Sequence, residues 1–272
     1  MQRPIQFVIA TSVTLVAAGA IALAVVAPAL PDDERDPPYA MVRFAHASPN
    51  AEIEQLFLLD GDGSVVDPEL DSDLEYLDVT PYAAVPPGNY EVVVHLAGTD
   101  DRPAAEVVLP QPFGTVGGRS YTVAIIGLVM PEVLEDPDDG FIAWLQDLFA
   151  ADPPDPSLQA LVLNGVRATP VPEGETDVRL AHAAPGTDSI DLAIVHPQET
   201  AAVLETVSFG EVSGYTTVVP TAGELELRIA GSEAAVIDLA GHELATATRY
   251  TILFTGTPIE DVPLRVLLLP EH

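Results

Sequence analysis

The sequence predicts an all-β protein: two tandem Ig-like antiparallel β-sandwich domains, with a short helix in the linker and an N-terminal apolar helix. Three observations carry this expectation. The stretch Val42-Arg43-Phe44-Ala45-His46-Ala47-Ser48-Pro49 returns as Val178-Arg179-Leu180-Ala181-His182-Ala183-Ala184-Pro185, so the chain is an internal duplication. Each copy carries short runs rich in Val, Ile, Thr and Tyr, cut by Pro, Gly, Asn and Asp turns, as in a sandwich. Hydrophobic residues make up 48% of 272, enough for a real core.

Residues 1–30 hold one charge, Arg3, then an apolar run from Ile5 to Leu30. A positive end followed by an apolar run marks a secretory signal, with Ala27-Pro28-Ala29 as a cleavage site. The run is also long enough to span a bilayer, so a cleaved signal and an uncleaved anchor both fit. Either reading places the remainder in the cell envelope or outside the cell. Any membrane contact then runs through residues 5–30. Residues 31–39 are a polar, Pro-rich spacer without apolar period.

The first repeat covers 40–130. Strands are expected at Met41 to Ala47, Ile53 to Leu59, Leu74 to Ala84, Tyr90 to Leu96, Glu106 to Leu109 and Ser120 to Gly127. The last is rich in β-branched residues and reads as a buried strand. Residues 131–176 form an acidic, Pro-rich linker. Within it Phe141, Trp144, Leu145, Leu148 and Phe149 recur at i, i+3, i+4, i+7 and i+8, one apolar face of a helix over 138–150. Leu158 to Leu163 adds a short apolar run. The second repeat covers 177–272, with strands expected at Val178 to Ala183, Ile190 to Val195, Leu204 to Phe209, Leu225 to Ala230, Ala235 to Leu239, Arg249 to Thr255 and Pro263 to Leu269.

The formal net charge is -32, and all ten basic residues are Arg. Such a surface repels nucleic acid, which needs Lys and Arg to neutralise phosphate. Self-repulsion of this size favours salt that screens it, so the chain reads as adapted to high salt. A merely acidic extracellular protein is the alternative. There is no cysteine, hence no disulfide and no thiolate metal site.

Three anchors keep their order between the copies. His46-x-x-Pro49 matches His182-x-x-Pro185, Val79-Thr80-Pro81-Tyr82 matches Val212-Ser213-Gly214-Tyr215, and Ser120-Tyr121-Thr122 matches Arg249-Tyr250-Thr251, each of the last pair running to a Gly, Gly127 or Gly256. This set resembles the DUF4397 family. The resemblance implies exported β-sandwich domains of unknown function, often in tandem, and brings no catalytic residue. An Asp usual after the Pro is replaced by Asn50 and Gly186.

His46 and His182 are the first site candidates. A His before a turn can bind metal or act as a base, but a metal needs three or four convergent ligands. The structural reading is that each ring locks the turn begun by Pro49 or Pro185. Tyr82, Tyr215, Tyr121 and Tyr250 read similarly, as core residues whose hydroxyls serve a loop or sheet edge. Asp60, Asp62, Ser64, Asp67 and Glu69 form the calcium candidate, alternate oxygens in a Gly-containing loop. The match to an EF-hand is poor, since its sixth position is Val65 and its twelfth Asp71. No other cofactor is expected, and no G-x-S-x-G, H-E-x-x-H, G-x-G-x-x-G or P-loop pattern occurs. The expected function is therefore that of a non-enzymatic surface or secreted structural or binding protein. Its partner would be an unidentified surface protein or polysaccharide. A calcium-stabilised adhesin and a carboxylate-based extracellular hydrolase are the alternatives.

Overall fold

The computed structural model describes residues 39–66, 72–98, 104–129, 155–164, 170–196, 199–220, 224–239, 244–258 and 262–271. The N-terminal apolar segment and the helix expected over 138–150 lie outside these residues. Among the described residues there is no helix, and none is long and apolar enough to cross a membrane.

Among the described residues, seventeen strands build four sheets. In the first repeat β1 (Ala40–His46), β4 (Ala83–Val85), β8 (Ser120–Ile126) and β9 (Gln159–Asn164) form one sheet, in the order β4-β1-β8-β9. The other contains β2 (Ile53–Asp60), β3 (Ser72–Leu74), β5 (Asn89–Leu96) and β6 (Ala105–Val108), in the order β3-β2-β5-β6, with β7 (Phe113–Gly114) also on β5. The second repeat copies this plan. Its β10 (Thr176–His182), β13 (Thr216–Val218), β16 (Thr248–Thr255) and β17 (Arg265–Glu271) give the order β13-β10-β16-β17. Its other sheet orders β12-β11-β14-β15 from β11 (Ile190–His196), β12 (Glu199–Val207), β14 (Glu224–Ile229) and β15 (Ala235–Asp238).

The central pairs β1–β8 and β10–β16 are parallel, while the other ladders are antiparallel. This departs from the wholly antiparallel expectation. The return from β1 to β8 passes through the opposite sheet, and a long crossover lets two strands run the same way.

Three apolar cores separate the four sheets. Val42, Phe44, Val123 and Ile125 meet Leu56, Leu58, Val92 and Val94 inside the first repeat. Leu180, Ile252 and Phe254 meet Ile190, Leu192 and Leu227 inside the second. The third core lies between the repeats: Ala45, Ala47, Ala124, Ile126, Leu161 and Leu163 against Ala181, Ala183, Phe209, Leu253 and Leu269. The two inner sheets are thus covered on both faces. This is why every residue of β10 is buried, whereas β2 alternates towards solvent. Strands covered on both sides read as continuous apolar runs.

The expected run from Leu74 to Ala84 is broken. The chain turns at Glu75–Asp78, where the Asp78 N–H donates to the Glu75 carbonyl at 2.9 Å. Leu77 sits there at φ 77°, a left-handed conformation that ends a strand. The expected Leu204 strand starts earlier, at Glu199. The Leu158 to Leu163 run of the connecting segment supplies β9, which pairs with β8 from Tyr121 to Ile126.

Candidate functional site

Two sets of motif side chains are brought together, one at each end of the inner sheets. The first surrounds Arg43 and Arg179, which point from β1 and β10 into the layer between the repeats. The Arg43 Nε donates to Thr122 Oγ1 at 2.8 Å, and its guanidinium stacks on the Tyr82 ring at 4.6 Å. The Arg179 Nε donates to Thr251 Oγ1 at 2.7 Å, and its guanidinium stacks on Tyr215 at 4.7 Å. Each arginine then reaches the other repeat. Arg43 Nη2 donates to the Pro270 carbonyl at 2.8 Å; Arg179 Nη1 donates to the Asn164 carbonyl at 3.0 Å. Asn164 pairs with Tyr121 and Pro270 with Tyr250, so the two acceptors occupy the same position of their sheets.

The second copy adds carboxylates. Arg179 Nη2 donates to Glu271 at 2.5 Å, and Glu271 also accepts from Thr251 and Tyr215. Arg249 also stacks on Tyr215, at 5.1 Å, and donates to Asp177 at 3.2 Å. Burial pushes the Tyr215 hydroxyl above its ordinary range, which Arg179 partly opposes. Burial likewise lowers the Arg43 guanidinium. Every charge here has a partner, the condition for holding ions in a buried layer.

The second set is the pair of turn histidines, both fully buried. His46 Nε2 donates to the Ala51 carbonyl at 2.8 Å, and its Nδ1 accepts from the Ser48 N–H at 3.3 Å. His182 Nε2 donates to the Asp188 carbonyl at 3.2 Å, and its Nδ1 accepts from the Ala184 N–H at 3.3 Å. Both nitrogens are therefore engaged with the turn's own backbone. Burial lowers the affinity of both rings for a proton, that of His182 to about 4. A neutral ring with its one lone pair already accepting has none to give a metal. Pro49 is half-buried and Pro185 buried beside them. Tyr76 and Phe209 pack edge-on against the two rings, each at 6.2 Å.

Tyr121 and Tyr250 also face inward business. The Tyr121 hydroxyl accepts from the Val116 N–H at 2.9 Å, and the Tyr250 hydroxyl from the Ala245 N–H at 3.3 Å. Past them, Gly127 and Gly256 sit at φ 87° and 101°. A Cβ there would lie 2.2 Å from the Ser157 carbonyl oxygen and 2.5 Å from that of Pro263. Only glycine lets the chain pass so closely.

At the calcium candidate, Asp60 Oδ1 accepts from the Asp62 N–H at 3.0 Å and the Ser64 N–H at 2.9 Å. The carboxylate closes its own turn. Asp67 and Glu69 lie outside the described residues. Among the described residues no three metal-ligating side chains gather. Among the described residues, two grooves beside these motifs open to solvent. One, of about 600 Å³, is lined by Pro49, Glu52, Glu54, Leu74, Glu75 and Tyr76. The other lies between Leu204 and Gly214 in the second repeat.

Sequence reasoning passed over Arg43, Arg179, Glu271 and the Asp177–Arg249 pair. A signal was present: an arginine at the same place of an apolar strand in both copies needs a buried partner.

The family described as a domain of unknown function, DUF4397, matches residues 40–140 and 176–271. The chain belongs to that family, in two copies. No curated protein matches the chain. Among solved structures, it is similar to the fimbrial anchor protein Mfa2 from Porphyromonas gingivalis, at 10% identity over 85% of this chain and 97% of that one, with a TM-score of 0.22. It is similar also to a candidate cell adhesion protein from Bacteroides eggerthii, at 11% identity over 88% and 98%, with a TM-score of 0.23. Likenesses this slight carry no argument about role.

Proposed function

We propose that the chain is a non-enzymatic structural or binding protein of the cell envelope, built from two Ig-like sandwiches and adapted to high salt. One observation carries the reading. The side chains that the repeat motif sets in place engage the protein itself: His46, His182, Tyr121 and Tyr250 bond its backbone, Tyr215 donates to Glu271, and the Tyr82 ring lies against Arg43. Residues arranged for chemistry point at a substrate; these hold turns and layers. The buried acids are occupied too, Asp191 by the Thr206 and Gly231 N–H groups and Glu271 by Arg179.

In this reading the N-terminal segment directs export, and both repeats lie outside the membrane. The test is to express the full chain with a C-terminal epitope and label intact cells. Labelling that needs residues 1–30 supports the reading, and an epitope reached only after lysis ends it. The salt reading has its own test. Thermal unfolding of the full chain is followed from low to molar NaCl, with and without calcium at each fixed ionic strength. The melting temperature rises with NaCl as screening relieves repulsion. A flat curve removes salt adaptation, and a rise specific to calcium makes the Asp60 loop a site.

A further inference from the structure

The layer between the repeats has the form of an isologous protein–protein interface. In such an interface the same patch serves both partners, so each contact has a reciprocal one. Arg43 to Pro270 and Arg179 to Asn164 are reciprocal. The apolar members match as well. Ala45 and Ala47 correspond to Ala181 and Ala183 through the repeated motif. Leu161 and Leu163 correspond to Leu267 and Leu269, since they pair with Ala124 and Thr122 as the latter pair with Leu253 and Thr251. Val79 and Val212 bridge to Ala45 and Ala181 alike. Small alanines hold equivalent places on both faces, so each face offers a copy of itself much the same surface that its present partner does. Glu271 does not obstruct this, because its partners Arg179, Thr251 and Tyr215 belong to its own repeat.

We propose that this face of each repeat is an association surface whose partner is another repeat of the same kind, including the repeat of a second copy of this chain. The covalent connection raises the local concentration of the internal partner; it does not create the interface. The surface would let chains exchange repeats and so link into assemblies.

The test uses the full chain with a protease site inserted between residues 165 and 172. After cleavage the halves are expected to elute together, where the uncut chain elutes. One cut preparation, carrying an affinity tag on its first half, is mixed with an untagged cut preparation for a day. The tagged half is expected to capture second halves from both preparations. Halves that part on cleavage, or that keep only their original partner, overturn the proposal. Carrying Ala45→Arg and Ala181→Arg together into the cut chain is expected to abolish co-elution. If that variant does not fold, Leu269→Ala serves instead and lowers the co-eluting fraction on dilution. Capture unchanged by either variant places the association elsewhere and also overturns it.

Discussion

The first repeat holds its buried arginine with a hydroxyl, an aromatic face and one carbonyl. The second surrounds its arginine with a carboxylate network on the same backbone frame. Met41 pairs with Ser120 across β1 and β8, whereas Asp177 pairs with Arg249 across β10 and β16. A neutral pair has exchanged for an ion pair as a unit. Two further positions behave in the same way. Asn50 grips the Val129 backbone twice, donating to its carbonyl and accepting its N–H, both at 2.9 Å. In the other copy the corresponding residues are Gly186 and Pro258, and a proline has no N–H to offer. Tyr76 meets Thr255 at 3.4 Å, while the corresponding Phe209 and Ile126 are both members of the apolar core between the sheets. Divergence in this duplicated chain runs by contact pairs, because a lone change would strand a buried polar group.

The sharpest break of this comparison comes from removing the two arginines. Arg179→Met leaves Glu271 buried beside Tyr215 without its cation and is expected to cost about 3–5 kcal/mol. Arg43→Met strands only a carbonyl and a hydroxyl, for about 1–2 kcal/mol. Urea unfolding of the two variants measures the gap; equal losses would mean that the carboxylate network adds nothing.

The histidines come next. His182 titrates at about 4 when folded and near 6.5 when unfolded. Between those values the unfolded chain binds more protons, so stability is complete above about pH 6.5 and falls as pH drops towards 4. The loss is on the order of 2–3 kcal/mol, taken at a fixed molar NaCl so that the changing net charge is screened. His182→Gln is expected to flatten the slope of stability against pH in this window. A slope unchanged by that substitution would assign it to other groups.

A smaller effect tests the asparagine clamp. Asn50→Gly removes both bonds to Val129 and is expected to cost about 1–2 kcal/mol. Gly186→Asn restores no such clamp, because the corresponding Pro258 has no N–H, and at φ 75° it is expected to lower stability by up to about 1 kcal/mol. The smallest effect concerns the turn after each histidine. Leu77 and Gly210 donate equivalently to the carbonyls of His46 and His182, at φ 77° and 78°. Leu77→Gly relieves a left-handed side chain and is expected to gain up to about 1 kcal/mol, read as a small rise in melting temperature. The reverse change, Gly210→Leu, lowers it.

Much of this was legible because the duplication is written in local residues. Alternation and β-branching placed most strands within a few positions. The histidines, tyrosines and glycines could be aligned by eye, since their roles are local: a ring bound to a carbonyl five or six residues on. What stayed hidden is set by distant pairing. The parallel contact of β1 with β8 joins residues 79 apart, as Arg43 and Thr122 show, and Arg43 lies 227 residues from Pro270. Nothing near Arg43 in sequence announces that carbonyl. Glu271 was likewise one acid among 42 Asp and Glu, and only burial distinguishes it. The Glu75–Asp78 turn was missed because Leu77 carries no turn signal; its counterpart Gly210 does.

The reciprocal arginine contacts have a mechanical consequence. β1 begins, and β9 and β17 finish, at the arginine end of the stacked sheets, because β9 and β17 run antiparallel to β8 and β16. Tension applied between Ala40 and Glu271 would therefore enter and leave at one pole, and Arg43 gripping the Pro270 carbonyl is the clasp across it. The opposite pole, where Thr255 donates to the Ala47 carbonyl at 2.7 Å and both histidine turns sit, lies off the line of force. Load between those two residues would pass through this short clasp and leave the far pole slack.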